Sequence, residues 1–131
     1  MVTPDELEGR FTLLTAATRY DELRIREALA SAEEESVAAL TREESLELLA
    51  LGEVLARKAA YGRQLSVRSA RRAGASWAQI GAALGTSKQA AWEAHGRWID
   101  DQAEQHRKRD YQGLDEEQVA AARRLAGRAD E

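Results

Sequence analysis

Apolar residues recur every three or four positions along most of the chain, which is the spacing expected of amphipathic helices. In the first third the stripe consists of Leu7, Phe11, Leu14 and Thr18, followed after Tyr20 and Asp21 by Leu23, Ile25, Ala28, Leu29 and Ala32. Thr3 and Pro4 precede acidic residues and so form a typical helix start, with an N-cap and a proline in the first turn. The pattern predicts two helices here, or one bent helix.

A second apolar stripe begins after Thr41, which can form a capping box with Glu44. The stripe consists of Leu48, Leu51, Leu55, Ala59 and Leu65, and it is widened by Leu46, Leu49 and Val54. It predicts a long helix that starts near Arg42 and continues to residue 73. Gly62 weakens that helix by about 1 kcal/mol relative to alanine, so we expect any break to fall there.

Glycine and serine residues divide the segment from Val67 to Trp98 into three predicted helices. Gly74 ends the first helix, and Ser76 caps the second. Gly85 then turns the chain, because such a tight turn needs a positive φ that glycine adopts without strain, and Ser87 caps the third helix. The buried positions expected of this unit are Trp77, Ile80 and Leu84 on one face, with Gly81 and Ala91 at the helix crossing.

Asp115 with Gln118 marks one more helix start, which is followed by the narrow apolar stripe Val119, Ala122 and Leu125. The whole pattern therefore predicts an all-α fold, a helical bundle with a trihelical helix-turn-helix unit and flanking N- and C-terminal helices. We predict three parts. An acidic N-terminal arm for packing or oligomerisation occupies residues 1–60, the helix-turn-helix unit occupies 61–110, and a C-terminal helix occupies 111–131.

Length and composition limit what else the chain can be. Its 131 residues have room for one domain, or for one domain with an added arm. The absence of cysteine excludes disulfides, thiolate zinc sites and a cysteine nucleophile. No run reaches the roughly 18 apolar residues of a membrane span, and the acidic N-terminus lacks the features of a signal peptide. We therefore expect a location in the cytoplasm, without membrane contact.

The net charge of −4 is unevenly distributed along the chain. Residues 1–60 contain seven Lys/Arg against thirteen Asp/Glu, and residues 99–131 contain six against nine. Residues 61–98 instead contain six Lys/Arg and the single acid Glu93, which gives a net charge of +5. The negative net charge of the whole chain therefore conceals a basic segment. A local cluster of basic residues is typical of a surface that binds nucleic acid.

The stretch AQIGAALGTSKQAA resembles the helix-turn-helix of bacterial transcription factors and of sigma-factor region 4. The longer core GASWAQIGAALG, followed by QAAW, is similar to that of small actinobacterial regulators. The resemblance covers residues 66–98, a quarter of the chain. It implies that the third helix, residues 88–98, is a recognition helix that enters the major groove of double-stranded DNA. The implied function is that of a sequence-specific transcriptional regulator in the bacterial cytoplasm.

By that correspondence Lys88, Gln89 and Glu93 are the residues that read bases. Lysine can donate to guanine and glutamine can pair bidentately with adenine, whereas a carboxylate repels phosphates unless it accepts from cytosine N4 or pairs with a cation. The predicted phosphate contacts are Arg63, Arg68, Arg71, Arg72, Thr86, Ser87 and Arg97. The alternatives are ordinary helix capping for the two hydroxyls and a solvated basic face for the arginines.

Other candidate chemistry in the chain is weak. Residues 81–88, GAALGTSK, have the lysine and the hydroxyl of a phosphate-binding loop in the wrong order. His95 and His106 share no helix face, and we interpret them as surface or capping residues rather than metal ligands. The run 33–35, three glutamates, is interpreted as a solvated face. The packing aromatics are expected to be Trp77, Trp92 and Trp98. We predict no enzyme activity, no cofactor and no metal.

A helical protein-interaction module is the alternative function, because the same trihelical fold can serve without DNA. Glu93 and the acidic N-terminal helices favour this alternative, and the basic segment favours DNA. On DNA we expect a homodimer, since one trihelical unit contacts few bases and two half-sites raise the affinity. The candidate dimer interfaces are the stripe over 46–65 and the C-terminal helix, and the N-terminal helices are the candidate contact for a protein partner.

Overall fold

The computed structural model describes residues 1–32 and 36–131, and every regular element in these ranges is a helix. The helices are α1 Pro4–Arg10, α2 Leu13–Ser31, α3 Arg42–Arg72, α4 Trp77–Leu84, α5 Lys88–Lys108 and α6 Glu116–Ala126. The predicted all-α class is therefore confirmed. No helix of these ranges is apolar over a length that would cross a bilayer. The acidic run 33–35 lies outside the described residues, so its interpretation stays a prediction.

The chain divides into two compact units, Met1–Tyr61 and Gly62–Glu131, which we term the N-terminal unit and the C-terminal unit. The division falls within α3, so this helix contributes residues to both. Helix α3 is continuous at Gly62, and the break that the sequence allows there does not occur. A penalty of about 1 kcal/mol is small enough for the other residues of a long helix to offset.

The core of the N-terminal unit is aliphatic. It is built from α1, α2 and the first part of α3, and it contains Leu7, Ala16, Leu23, Leu48, Ala50, Leu51 and Val54. Helix α1 begins as predicted, because the Thr3 hydroxyl accepts the Glu6 N–H and Pro4 is the first helical residue. Helix α3 also begins as predicted, with a capping box in which Thr41 and Glu44 each bond to the other's backbone N–H. Short-range caps therefore set both starts.

The apolar sequence before residue 33 forms two helices, and the boundary lies at Phe11 and Thr12. Thr12 caps α2 and forms a capping box with Thr15. Tyr20 and Asp21, where the apolar pattern changes, lie within α2. The change of pattern therefore marks no chain break.

The apolar stripes are narrower than predicted. Helix α2 buries Ala16 and Leu23, whereas Leu14 lies two positions before Ala16, Ile25 lies two positions after Leu23, and both are exposed. Two positions turn a helix by about 200°, so these side chains point away from the core. Leu49 on α3 is 72% exposed. The other predicted stripe residues that are exposed are Thr18, Ala28, Leu29, Ala32, Leu46, Ala59 and Leu65.

The core of the C-terminal unit draws on α3, α4, α5 and α6. It contains Val67, Trp77, Ile80, Ala91, Ile99, Ala122 and Ala126. Trp77 and Ile80 are buried as predicted. Helix α6 begins at the predicted cap, because Asp115 and Gln118 form a capping box. The C-terminal helix therefore belongs to the same core as the predicted helix-turn-helix.

Three side chains bind the carboxyl end of α6. The indole Nε1 atoms of Trp77 and Trp92 and the Nε of Arg71 donate to three consecutive carbonyls, at 2.7, 2.9 and 3.1 Å. The acceptors are, in the same order, Ala126, Gly127 and Leu125. The last carbonyls of a helix have no partner within it, so these donors satisfy groups that would otherwise stay unpaired. They fix α6 to α3, α4 and α5.

His95 is buried in this core, which corrects its interpretation as a surface or capping residue. Its side chain is 1% exposed, and its ring centroid lies 5.6 Å from that of Trp77 and 5.3 Å from that of Trp98. The Nδ1–H donates to the side-chain oxygen of Gln64 at 2.9 Å, since a carboxamide oxygen can only accept. His106, in contrast, donates to the Gln112 carbonyl of the loop after α5 at 3.1 Å.

Candidate nucleic-acid interface

The turn between α4 and α5 has the geometry that the sequence predicts. Ser76 caps α4 and forms a capping box with Gln79. Gly85 ends α4 in the left-handed region, with φ of 73° and ψ of 31°, where a side chain would introduce strain. Ser87 then caps α5, because its hydroxyl accepts the Ala90 N–H at 3.0 Å. Helices α4 and α5 therefore form a helix-turn-helix through residues 85–87.

Gly81 allows the turn to approach α4 closely. A Cβ at this position would lie 2.9 Å from backbone atoms of both Thr86 and Ser87, which is closer than packed atoms tolerate. The sequence predicts that Ala91 faces this glycine. In the structure, the atoms that leave no room for a side chain at Gly81 belong to the backbone just before α5. Leu84 is 40% exposed, contrary to prediction, because it is the last residue of α4 and the turn leaves it uncovered.

The first turn of α5 is open to solvent. Lys88 and Gln89, the first two predicted base readers, are exposed, and so are the predicted phosphate contacts Thr86 and Ser87. The first backbone N–H groups of a helix have no acceptor within it, and they carry the positive end of the helix dipole. Helix α5 contains the whole predicted recognition segment, residues 88–98, and continues to Lys108. The segment predicted to enter DNA is therefore the N-terminal half of a longer helix whose remainder packs on α6.

The third predicted base reader, Glu93, lies one helical turn beyond Gln89 and is bonded to it. The Gln89 Nε2 donates to the Glu93 Oε1 at 2.9 Å, and both side chains are exposed. This bond uses one of the two amide hydrogens, so the second hydrogen and the amide oxygen keep their capacity to pair. Arg97 is exposed one turn further along the same face. The face thus presents an amide, a carboxylate and a guanidinium in a row.

The basic residues of segment 62–98 have no carboxylate within 4.0 Å in the part of the chain that the structure describes. They are Arg63, Arg68, Arg71, Arg72, Lys88 and Arg97. In the N-terminal unit, every arginine lies within 4.0 Å of a carboxylate oxygen. Those arginines are Arg10, Arg19, Arg24, Arg26, Arg42 and Arg57. Among the described residues, the cations of segment 62–98 therefore lack the internal carboxylate partners that the arginines of the N-terminal unit have.

Two of the six cations are held within the C-terminal unit. The Arg71 guanidinium lies 5.2 Å from the Trp77 ring centroid and donates to two backbone carbonyls, at 2.9 and 3.1 Å. The half-buried Arg68 lies with its guanidinium 5.6 Å from the Trp98 ring centroid. The cations that are exposed are Arg63, Arg72, Lys88 and Arg97. Arg71 thus has a structural task, and these four side chains form the accessible part of the predicted basic surface.

The cationic end of α3 also affects the buried histidine. Removal from water lowers the pKa of His95, and the positive charges of Arg68 and Arg71 lower it further, to about 4. The ring is therefore neutral at pH 7 and adds no charge to the basic surface. The sequence contains a signal for this burial, since His95 lies four residues after Ala91 and four before Ile99, on one helix face.

Comparison with models of known protein families gives no match, and neither curated proteins nor solved structures match significantly. The function is therefore inferred from the geometry of this chain and from the resemblance of residues 66–98 to the helix-turn-helix of bacterial transcription factors.

Proposed function

We propose that this protein is a sequence-specific DNA-binding transcriptional regulator that docks the first half of α5 into the major groove. The difference in charge pairing is the observation that supports this most strongly. The six cations of segment 62–98 have no carboxylate within 4.0 Å among the described residues, and four of them are exposed beside an open helix start. DNA phosphates can bind such cations without first displacing an internal carboxylate.

The proposed phosphate contacts come from the helix-turn-helix and its edges. The exposed cations that take part are Arg63, Arg72, Lys88 and Arg97. Thr86 and Ser87 add hydroxyls next to the free backbone N–H groups at the start of α5, where a phosphate is favoured by both hydrogen bonding and the helix dipole. These contacts set the orientation of α5 on the duplex and carry no sequence information themselves.

Base reading is assigned to the first two turns of α5. Gln89 has an amide hydrogen and an amide oxygen left to pair with adenine, and its bond to Glu93 restricts the orientation of the amide before DNA arrives. The second carboxylate oxygen of Glu93 can accept from cytosine N4, and Lys88 can donate to guanine. Gln89 and Glu93 therefore act as one reading pair in this proposal.

A homodimer in the bacterial cytoplasm completes the proposal. One C-terminal unit offers only three base readers, too few for a long operator, and two copies reach two half-sites about 34 to 36 Å apart. Linkage of the two binding events raises the overall affinity without any new contact.

A binding titration with duplex DNA tests the proposal. Fragments from around the protein's own gene give the preferred site, and Gln89→Ala should lose about 1 to 3 kcal/mol on that site while keeping its affinity for random DNA. Lys88→Ala should lose affinity for both, because it removes a charge. Gln105→Ala changes an exposed glutamine in the second half of α5 and should leave both affinities unchanged.

Two results would contradict the proposal. The absence of binding to any duplex at about 50 mM salt would favour the protein-interaction module instead. Equal losses on preferred and random DNA in the Gln89→Ala protein would show that this helix does not read sequence.

A further inference from the structure

A groove of about 420 Å³ lies in the C-terminal unit between the end of α3 and α6, and none of residues 86–97 lines it. One wall carries Arg68 and Arg72, and the rest of the lining is mainly apolar. The apolar side chains are Leu114, Ala121, Ala122 and Leu125. Sites for small molecules have volumes of roughly 300 to 1,000 Å³ and combine an apolar surface with a few polar groups. This groove has both properties.

The two arginines of the groove are arranged for an anion. They are four positions apart on α3, so their side chains lie on the same side of the helix. In the described chain neither has a carboxylate within 4.0 Å. The Arg68 guanidinium is held against the Trp98 ring, which restricts its orientation while leaving its N–H edge unbonded to any described residue. A restricted guanidinium edge matches the two oxygens of a carboxylate.

We infer that this groove binds an organic monocarboxylate of about ten or more non-hydrogen atoms in total, most of them in an apolar body. Arg68 and Arg72 bind the carboxylate, and Leu114, Ala121 and Leu125 cover the body. A small inorganic anion would leave the apolar lining in water, and a neutral apolar molecule would leave the two cations without a partner. The arginine pair and the apolar lining together therefore select an amphipathic acid.

This site goes beyond DNA binding and does not depend on it. Arg72 is the only residue that the groove shares with the proposed phosphate contacts. Octanoate binding is measured on the 131-residue chain without DNA, so its failure and the failure of DNA binding are separate results.

Three probes distinguish the parts of the inference. Octanoate carries both the carboxylate and the apolar body, 1-octanol lacks the charge, and acetate lacks the body. Octanoate should shift the NMR signals of the Ala121 and Ala122 methyl groups and of the Trp98 indole N–H in a saturable manner. 1-Octanol should bind at least about tenfold more weakly, the equivalent of one lost charge-assisted contact. Acetate should also bind at least about tenfold more weakly, because it leaves the apolar lining of the groove uncovered.

Two pairs of variants locate the site. Arg72→Ala should weaken octanoate binding about tenfold, whereas Arg63→Ala removes an exposed arginine of α3 outside the groove and should leave octanoate binding unchanged. Ala121→Phe fills the groove from an exposed position and should abolish binding. Ala120→Phe changes the neighbouring exposed alanine, which does not line this groove, and should leave binding intact.

The inference is overturned if octanoate gives no saturable shift at about ten millimolar. It is also overturned if 1-octanol or acetate binds as tightly as octanoate, since one of the two surfaces would then be irrelevant. Binding that survives both Arg72→Ala and Ala121→Phe would place the ligand elsewhere and contradict the assignment.

Discussion

The two units of this protein use their polar side chains in opposite ways. In the N-terminal unit every arginine has a carboxylate within 4.0 Å, and the buried core residues are all aliphatic. In the C-terminal unit the buried core includes an indole and an imidazole with hydrogen-bond partners, while the cations of segment 62–98 lack carboxylates in the described residues. Hydrogen-bonded polar groups therefore stabilise the core of the C-terminal unit, and the exposed cations of segment 62–98, Arg63, Arg72, Lys88 and Arg97, face the solvent.

Charge pairing in the N-terminal unit has more effect on binding than on stability. An exposed ion pair contributes about 0 to 1 kcal/mol and often nothing measurable, so the nine ion pairs among the described residues of this unit are weak evidence for a contribution to stability. Their effect is to neutralise each arginine locally in a unit with seven basic and thirteen acidic residues. A phosphate meets net repulsion there and net attraction at segment 62–98. The difference between the units therefore indicates which surface binds an anionic partner.

Substitution of Trp77 should give the largest effect and tests the difference between the cores. Trp77→Ala should lower the free energy of unfolding by about 3 to 5 kcal/mol, because the side chain is fully buried. Trp77→Phe keeps most of the ring but leaves the Ala126 carbonyl without its donor, at a cost of about 1 to 3 kcal/mol. Leu23→Met is the matched swap in the aliphatic core and should cost less than about 1.5 kcal/mol. Urea unfolding measures these free energies. If Trp77→Phe and Leu23→Met lowered the free energy of unfolding equally, the indole hydrogen bond would not distinguish the core of the C-terminal unit from the aliphatic core.

Acid should destabilise the C-terminal unit at a higher pH than the N-terminal unit. The folded pKa of His95 is about 4, below its usual value of 6.5, so the unfolded chain takes up the proton first. The stability that the neutral ring provides is complete above pH 6.5 and is lost as the pH falls toward 4, by on the order of 2 to 3 kcal/mol. In the N-terminal unit, hydrogen bonds from Arg26 and from the Thr41 backbone lower the pKa of Glu44 from 4.5 to about 2. The stability from that carboxylate is lost only as the pH falls below 4.5.

Urea unfolding at a series of pH values separates the loss of stability due to His95, between pH 6.5 and 4, from the loss due to Glu44, below pH 4.5. His95→Gln has no titratable ring and should abolish the loss between pH 6.5 and 4 while keeping the loss below 4.5. If the wild-type stability stayed constant from pH 7 to 4.5, the ring would not be buried in the folded protein as described.

The local parts of this architecture follow from the sequence, and the long-range parts do not. Ser76, Gly85 and Ser87 were predicted in their observed roles because a cap or a turn depends on residues within about three positions. The indole bond from Trp77 to Ala126 joins residues 49 positions apart, so only the packing of α6 creates it. The pairing of arginines depends in the same way on tertiary contacts. The predicted list of phosphate contacts therefore included Arg71, whose donors are engaged within the fold.

Two glycines provide a smaller contrast between the units. Gly85 has a φ of 73°, and Gly85→Val should lower the free energy of unfolding by about 1 to 3 kcal/mol because a β-branched residue is strained there. Gly9 lies within α1, where a Cβ would meet no atom within 4 Å. Gly9→Ala should therefore raise stability by about 0.5 to 1 kcal/mol. Thermal unfolding measures both changes, and an unchanged Tm for Gly85→Val would place the turn elsewhere.

The salt dependence of DNA binding tests the central claim most directly. Four exposed cations without carboxylates within 4.0 Å, namely Arg63, Arg72, Lys88 and Arg97, predict a slope of roughly −4 in a plot of log K against log salt concentration. Arg72→Ala should flatten that slope by about one. Arg42→Ala removes an exposed arginine that is paired with Glu43, and it should leave the slope unchanged. A wild-type slope near zero, or an equal flattening in the Arg42→Ala protein, would contradict the claim that the four exposed cations of segment 62–98 bind phosphates.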